Sequence, residues 1–237
     1  MRAVFKRELR AYFMTPLGFI FLGVFAVLAG LLYQLSNVAT LSSDLSTFFS
    51  MMSYLWMLLC PVLVMRLIAG DRKQQTDLLL LTAPIRSTDI VLGKYLAASA
   101  LLLISVLLSL LYPLLTAIHG RAYPLELMTA YIGFTLQGFA FIAFDLTLSA
   151  LASSPMSAAL LCFGGNLLLW LGSLLGATGL ASPIRAVLGF FSLYERMTPF
   201  LYGQLSFANM IFFLGFIVIC LLVCVQLTES RRWSESL

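Results

Sequence analysis

The sequence predicts an all-α polytopic membrane protein: six transmembrane helices, an N-terminal interfacial helix, a cytosolic elbow and external re-entrant helices. Three observations carry that expectation. Hydrophobic residues make up 61% of the 237 and charged residues only 10%, with a mean hydropathy of +1.01, whereas a soluble domain needs about a quarter charged residues to cover its surface. The apolar residues gather into six runs that meet or approach the roughly 20 residues needed to cross a bilayer. Leu, Ala, Phe and Met dominate the runs without strand-type alternation, which selects a helical bundle over a barrel.

Residues 1–15 form the interfacial helix. Phe5, Leu9 and Tyr12 recur at i, i+4 and i+7, while Lys6, Arg7 and Arg10 occupy the other side. A helix so patterned lies in the membrane surface with its basic face toward lipid headgroups. Thr15-Pro16 then breaks it and turns the chain inward. The first apolar run covers Leu17 to Leu35. It does not read as a signal peptide, because it starts too far along the chain and no A-x-A site follows. The remaining runs are Phe48 to Met65, Tyr95 to Ile118, Leu127 to Phe144, Met156 to Leu175 and Phe207 to Leu227. Pro61 and Pro113 are expected to kink the second and third spans.

Between spans two and three lies the chain's one sizeable hydrophilic insert, the elbow at 69–94. It divides at Ala83-Pro84. Asp71 to Thr82 reads as a helix that starts polar and ends in Leu78-Leu79-Leu80-Leu81, a run that is costly to expose unless lipid or a partner covers it. The second half opens with Ser87 and Thr88 as N-caps and Asp89 in the first turn. From Thr88 the helix is expected to run unbroken to Ile118, with Lys94 snorkelling at the inner surface. The connection 179–206 is too long and too apolar for an ordinary external loop, and Phe190, Phe191, Tyr194 and Phe200 crowd into it. Pro183 and Pro199 prevent a single helix, so short helices dipping into the outer leaflet are expected, where they satisfy their own backbone.

Lys and Arg fix the orientation. With both termini in the cytosol, the inner segments hold Arg2, Lys6, Arg7, Arg10, Arg66, Arg72, Lys73, Arg86, Lys94, Arg231 and Arg232, leaving only Arg121, Arg185 and Arg196 of the 14 basic residues outside. That is a strong positive-inside bias. The net charge of +4 therefore reports orientation and contact with anionic membrane lipid. It does not argue for a nucleic-acid partner, since no basic patch interleaved with aromatics stands on a soluble domain.

The residues offer little for chemistry. His119 is the sole histidine, so histidine metal sites and Ser-His pairs within one chain have no support, and no catalytic residue, metal or cofactor site is assigned. Cys60, Cys162, Cys220 and Cys224 all fall in apolar runs and read as small buried hydrophobes. Gly93-Lys94 lacks the first glycine and the hydroxyl residue of a phosphate-binding loop. Asp145 reads as lying near the inner interface, solvated or paired with an arginine. Ionisable groups near spans are functional candidates by default, so Asp145, with Gln137 and Asn166, is carried as the candidate translocation path. The commoner use of Gln137, Asn166 and Asn209 is hydrogen bonding between helices.

Three segments carry a family resemblance: FKRELRAYFMTPLGFIF from Phe5 to Phe21, DRKQQTDLLLLTAPIRSTDIVLGKYL from Asp71 to Leu96, and LTESRRW from Leu227 to Trp233. Along its whole length the chain resembles the permease subunits of type-2 ATP-binding-cassette (ABC) exporters, within them the gliding-motility-type branch. The resemblance implies a single permease domain over residues 1–237 in a bacterial inner membrane. It implies a coupling helix in the elbow that docks on a separate ATPase subunit, with contacts at Asp71, Arg72, Lys73, Thr76, Asp77, Leu78, Leu79, Leu80, Leu81, Thr82 and Pro84. It further implies two ATPase copies holding ATP and Mg, a second permease chain, identical or homologous, and room for an accessory extracytoplasmic subunit. An ion-driven secondary transporter and a membrane-embedded enzyme are the alternatives. The first usually shows inverted repeats and midplane polar sites, and the second a catalytic cluster; neither feature is visible here.

Overall fold

A computed structural model describes residues 1–73, 86–119, 123–177 and 192–234. Among them every regular element is a helix. The first, α1 (Arg2–Met14), ends at Thr15, whose backbone is extended, and Pro16 opens α2 (Pro16–Tyr33). Thr15 Oγ1 donates to the Ala11 carbonyl at 2.7 Å, which also accepts the Thr15 backbone N–H at 3.2 Å. The corner is so tight that a Cβ on Gly18 would lie 2.6 Å from the Tyr12 carbonyl oxygen, which only glycine avoids.

A π-helical turn, Gln34–Val38, follows α2. There Asn37 Nδ2 donates to the carbonyls of Ser42 and Asp44, at 3.0 and 2.8 Å. These bonds hold a loop in which Leu41 adopts φ 52°, a left-handed conformation that a branched side chain resists. The Asp44 carboxylate accepts from the Ser46 amide at 2.8 Å where α3 (Ser46–Val64) begins. Pro61 sits inside α3 without interrupting it. A short α4 (Ala69–Lys73) follows.

The third span departs from expectation. It consists of α5 (Ser87–Ser109) and α6 (Leu111–His119), interrupted at Leu110. The break lies just ahead of Pro113, which has no N–H to offer the Ser109 carbonyl. The stiff part of this span is therefore Ser87–Ser109. The expected N-caps are also absent: Arg86 holds the cap position with no side-chain bond, and Ser87 is buried within the first turn.

The chain continues as α7 (Pro124–Leu151), α8 (Pro155–Ala177), α9 (Leu193–Leu201) and α10 (Phe207–Ser234). Six helices are long and apolar enough to cross a membrane: Pro16–Val38, Ser46–Asp71, Ser87–Ile118, Pro124–Leu151, Pro155–Leu174 and Phe207–Ser230. They match the six apolar runs, but the fourth extends well past Phe144. Its polar end is satisfied internally, with Thr147 Oγ1 donating to the Ala143 carbonyl at 2.8 Å or the Cys220 carbonyl at 2.9 Å. Of the re-entrant segment, α9 is described. Pro199 lies inside α9, near its C-terminal end, and costs the helix one backbone bond without ending it.

The bundle is organised around α7, which packs against α3, α5, α8, α9 and α10. The apolar windows of α3 and α7 are 61% and 56% buried, against 22%, 17% and 22% for the first, fifth and sixth spans. Trp56, Phe49 and Met52 from α3 meet Phe134 and Phe141 from α7 in the core. The outer spans instead expose Phe19, Val27, Leu168, Ile211 and Leu222, apolar surface that lipid covers at no hydrophobic cost.

Candidate functional site

One end of the bundle, where α1, α4 and α5 meet, holds four charges in one cluster. Lys94, near the start of α5, is only 3% exposed. Its Nζ donates to Glu8 Oε1 at 3.2 Å and also meets Asp71 Oδ2 and the Leu67 carbonyl. Arg7 Nη2 reaches both acids, Glu8 at 2.5 Å and Asp71 at 3.0 Å. Two cations thus face two anions drawn from α1, α4 and α5. Burying an ammonium is costly unless paired carboxylates and hydrogen bonds replace its water, and here they do. Burial pulls the Arg7 pKa down, while the adjoining Glu8 and Asp71 charges more than offset this and leave it raised.

Close packing brings the charges together. A Cβ on Gly93 would come 2.9 Å from Val4 Cβ and 3.3 Å from the Met1 carbonyl, so the bare glycine lets α1 lie against α5. Tyr12 Oη donates to the Leu63 carbonyl at 2.9 Å. Burial, reinforced by the Glu8 charge, raises the phenol's pKa and keeps it a donor.

Two sequence expectations are corrected at this point. Lys94 does not snorkel, because two carboxylates and a carbonyl meet it inside the bundle. And α1 turns Val4 and Glu8 inward, with Phe5, Leu9 and Tyr12 half-buried and Lys6 and Arg10 exposed; Arg7, read as part of a basic headgroup face, is tied to the cluster. Glu8 and Lys94 were missed as a pair. A Glu beside an Arg on one side of an otherwise apolar-patterned helix was the available signal.

The elbow residues divide between the described and undescribed parts of the chain. Asp71 is in the cluster. Arg72 and Lys73 close α4, and their side chains lie outside the described residues. Thr76, Asp77, Leu78, Leu79, Leu80, Leu81, Thr82 and Pro84 also fall outside them, as does 178–191 of the external segment.

A second polar group sits deeper. Asn166 Nδ2 on α8 donates to Asp145 Oδ2 on α7 at 3.2 Å or to the Met57 carbonyl at 3.3 Å. Asp145 is fully buried and Asn166 is 1% exposed. Cys162 Sγ donates to the Asp145 backbone carbonyl at 3.3 Å. Asp145 Oδ1 and Asn166 Oδ1 have no hydrogen-bond partner among the described residues. Asp145 is thus neither solvated nor arginine-paired, contrary to the reading from sequence; α7 continues beyond it to Leu151 and encloses it.

Gln137 belongs to another contact. Its Oε1 accepts from Ser53 Oγ at 2.8 Å, and its Nε2 donates to the Leu193 carbonyl at 3.5 Å, joining α3, α7 and α9. Asn209 Nδ2 donates to the Arg196 carbonyl at 3.1 Å, and its Oδ1 accepts from Arg196 Nη1 at 3.2 Å. Gln137, Asn166 and Asn209 all join helices, as membrane-buried amides commonly do. Asp145 and Asn166 come together; Gln137, about 12 Å along α7 by helical rise, does not join them. Among the described residues no group of three or more His, Cys, Asp or Glu side chains has the arrangement of a metal site.

No curated protein matches the sequence. The family model for ABC-2 family transporter proteins matches residues 25–226, the greater part of the chain, with four complete spans and most of the first and the sixth. The helical bundle agrees with that match in class and in its six crossing-length helices, so this chain is a multi-pass membrane component belonging to the ABC-2 family of transporters.

Proposed function

We propose that the chain is the permease subunit of an exporter, of the gliding-motility-type branch, driven by ATP hydrolysis on a separate subunit. Two ATPase copies hold ATP and Mg, and a second permease chain, identical or homologous, completes the path across a bacterial inner membrane. Both termini face the cytoplasm, in keeping with the basic residues concentrated on that side. An accessory extracytoplasmic subunit can join on the opposite face.

The observation that carries this reading is the location of the hydrophilic elbow within a chain of the ABC-2 family. In sequence it joins α4 to α5. In the proposed mechanism the ATPase grips the segment from Asp71 to Pro84, with the four-leucine run supplying apolar contact and Arg72 and Lys73 supplying charge. A push there reaches the bundle through α5, a 23-residue helix that is unbroken as far as Ser109. The permease interface then opens outward and releases an amphipathic or lipid-like cargo. Asp145, Gln137 and Asn166 are the polar residues nearest to such a path within this chain.

Affinity capture of the chain from native membranes, followed by mass spectrometry, tests the proposal. A soluble nucleotide-binding subunit is expected to co-purify, and charge reversal at Arg72 and Lys73 is expected to reduce its recovery. A chain that purifies alone and moves cargo on an ion gradient would overturn the reading.

A further inference from the structure

The helix that precedes the family match is not a passive anchor. The family model begins at residue 25, after the whole of α1. Yet α1 sends Glu8 and Arg7 into the charge cluster, where they meet Asp71 on α4 and Lys94 on α5. Asp71 stands at the threshold of the elbow. Val4 packs over Gly93 one residue away from Lys94, so apolar contact and charge pairing hold the same two helices at the same level. A buried ammonium shared by carboxylates from two other helices resists separation of any one of them, because each departure leaves a desolvated charge behind.

We infer that Lys94 is a positioning residue that clamps α1 and the base of the elbow to α5, so that all three move as one body. The inference deepens the ATP-driven reading: whatever displaces the elbow also displaces α1 within the membrane surface. The clamp itself is independent of nucleotide and is testable without it. The four described residues of the clamp all belong to this chain, so it can be probed whether or not an ATPase is attached.

The test uses the full chain with its co-purifying subunits in phospholipid nanodiscs. The four native cysteines are buried, which directs spin labels to introduced cysteines at the exposed sites Lys6→Cys on α1 and Leu107→Cys on α5. Diluting labelled with unlabelled chain isolates distances within one copy. The native cluster is expected to give a single narrow distance that does not shift when Mg and ATP are added. Glu8→Gln, which leaves Lys94 its contacts with Asp71 and Leu67, is expected to abolish the single narrow distance. Lys94→Met is expected to do the same, and Lys94→Arg to preserve it. The clamp is overturned if Glu8→Gln leaves the distance unchanged, or if the native distance shifts with nucleotide. A second pair, Leu107→Cys with Leu168→Cys on α8, reports whether nucleotide moves the bundle. If neither that pair nor the distance between labelled copies, read without dilution, responds to nucleotide in an ATPase-containing complex, the ATP-driven reading fails, while the nucleotide-free distances still decide the clamp.

Discussion

The charge cluster centres on buried Lys94 and Glu8 with Asp71 part-buried and Arg7 exposed, while the Asp145–Asn166 pair is fully enclosed, and the two sites hold their polar groups differently. Lys94, Arg7, Glu8 and Asp71 balance in sign, and each cation is matched to a carboxylate. Among the described residues Asp145 Oδ2 accepts from the Asn166 amide, no cation pairs with it, and Oδ1 has no hydrogen-bond partner. The first site is held together by its charges; the second is held by hydrogen bonding and enclosure. A helix that leaves the cluster exposes an unpaired ion, whereas a helix that leaves Asp145 breaks amide bonds. The contrast suits a rigid joint next to the elbow and a softer polar contact within the bundle.

Substitutions can break that comparison. Lys94→Met removes the buried ammonium and leaves Glu8 and Asp71 to Arg7 alone; it is expected to cost about 3 kcal/mol, read as a lower unfolding midpoint in detergent. Asn166→Leu removes the donor that serves Asp145 and Met57, and about 1–3 kcal/mol is expected by the same measurement. Asp145→Asn keeps the shape and removes the charge, and it is expected to cost no more than about 1 kcal/mol. A loss as large as that of Lys94→Met would show that the two sites work alike. Ser53→Ala removes the hydroxyl that Gln137 accepts, and about 0.6 kcal/mol is expected, the usual size of a hydrogen bond between membrane helices. Lys6→Gln, on the exposed side of α1, is expected to change stability by less than about 0.5 kcal/mol.

Hydropathy made the fold legible. The six spans follow from apolar length, and the corner at Thr15-Pro16 from proline chemistry. A short helix in the connection between the fifth and sixth spans was also legible, since its prolines rule out one long helix, and α9 is such a helix. Errors gathered where a polar residue is buried. The apolar run ends at Phe144, so Asp145 looked interfacial; the helix continues because Thr147 and its neighbours bond internally. Lys94 looked like a snorkelling lysine because Glu8 and Asp71 are far from it in sequence, and pairing over that separation is set by tertiary contact.

Gly93-Lys94 shows the same limit at a finer scale. As a phosphate loop the pair fails, and sequence offers it no other role. In the bundle the glycine admits Val4 and the lysine gathers the acids. Likewise, the amphipathic pattern of α1 places a helix at the surface but does not say which charge turns inward. Glu8 does so because a buried cation awaits it.

The account depends most on what grips the elbow. A photoreactive residue at Leu79, in the full chain within native membranes, reports this directly. Capture of a soluble ATP-binding subunit from the cytoplasmic side, lost when that subunit is absent, is the expected result. Capture of an extracytoplasmic protein, or of lipid alone while transport continues, would contradict it.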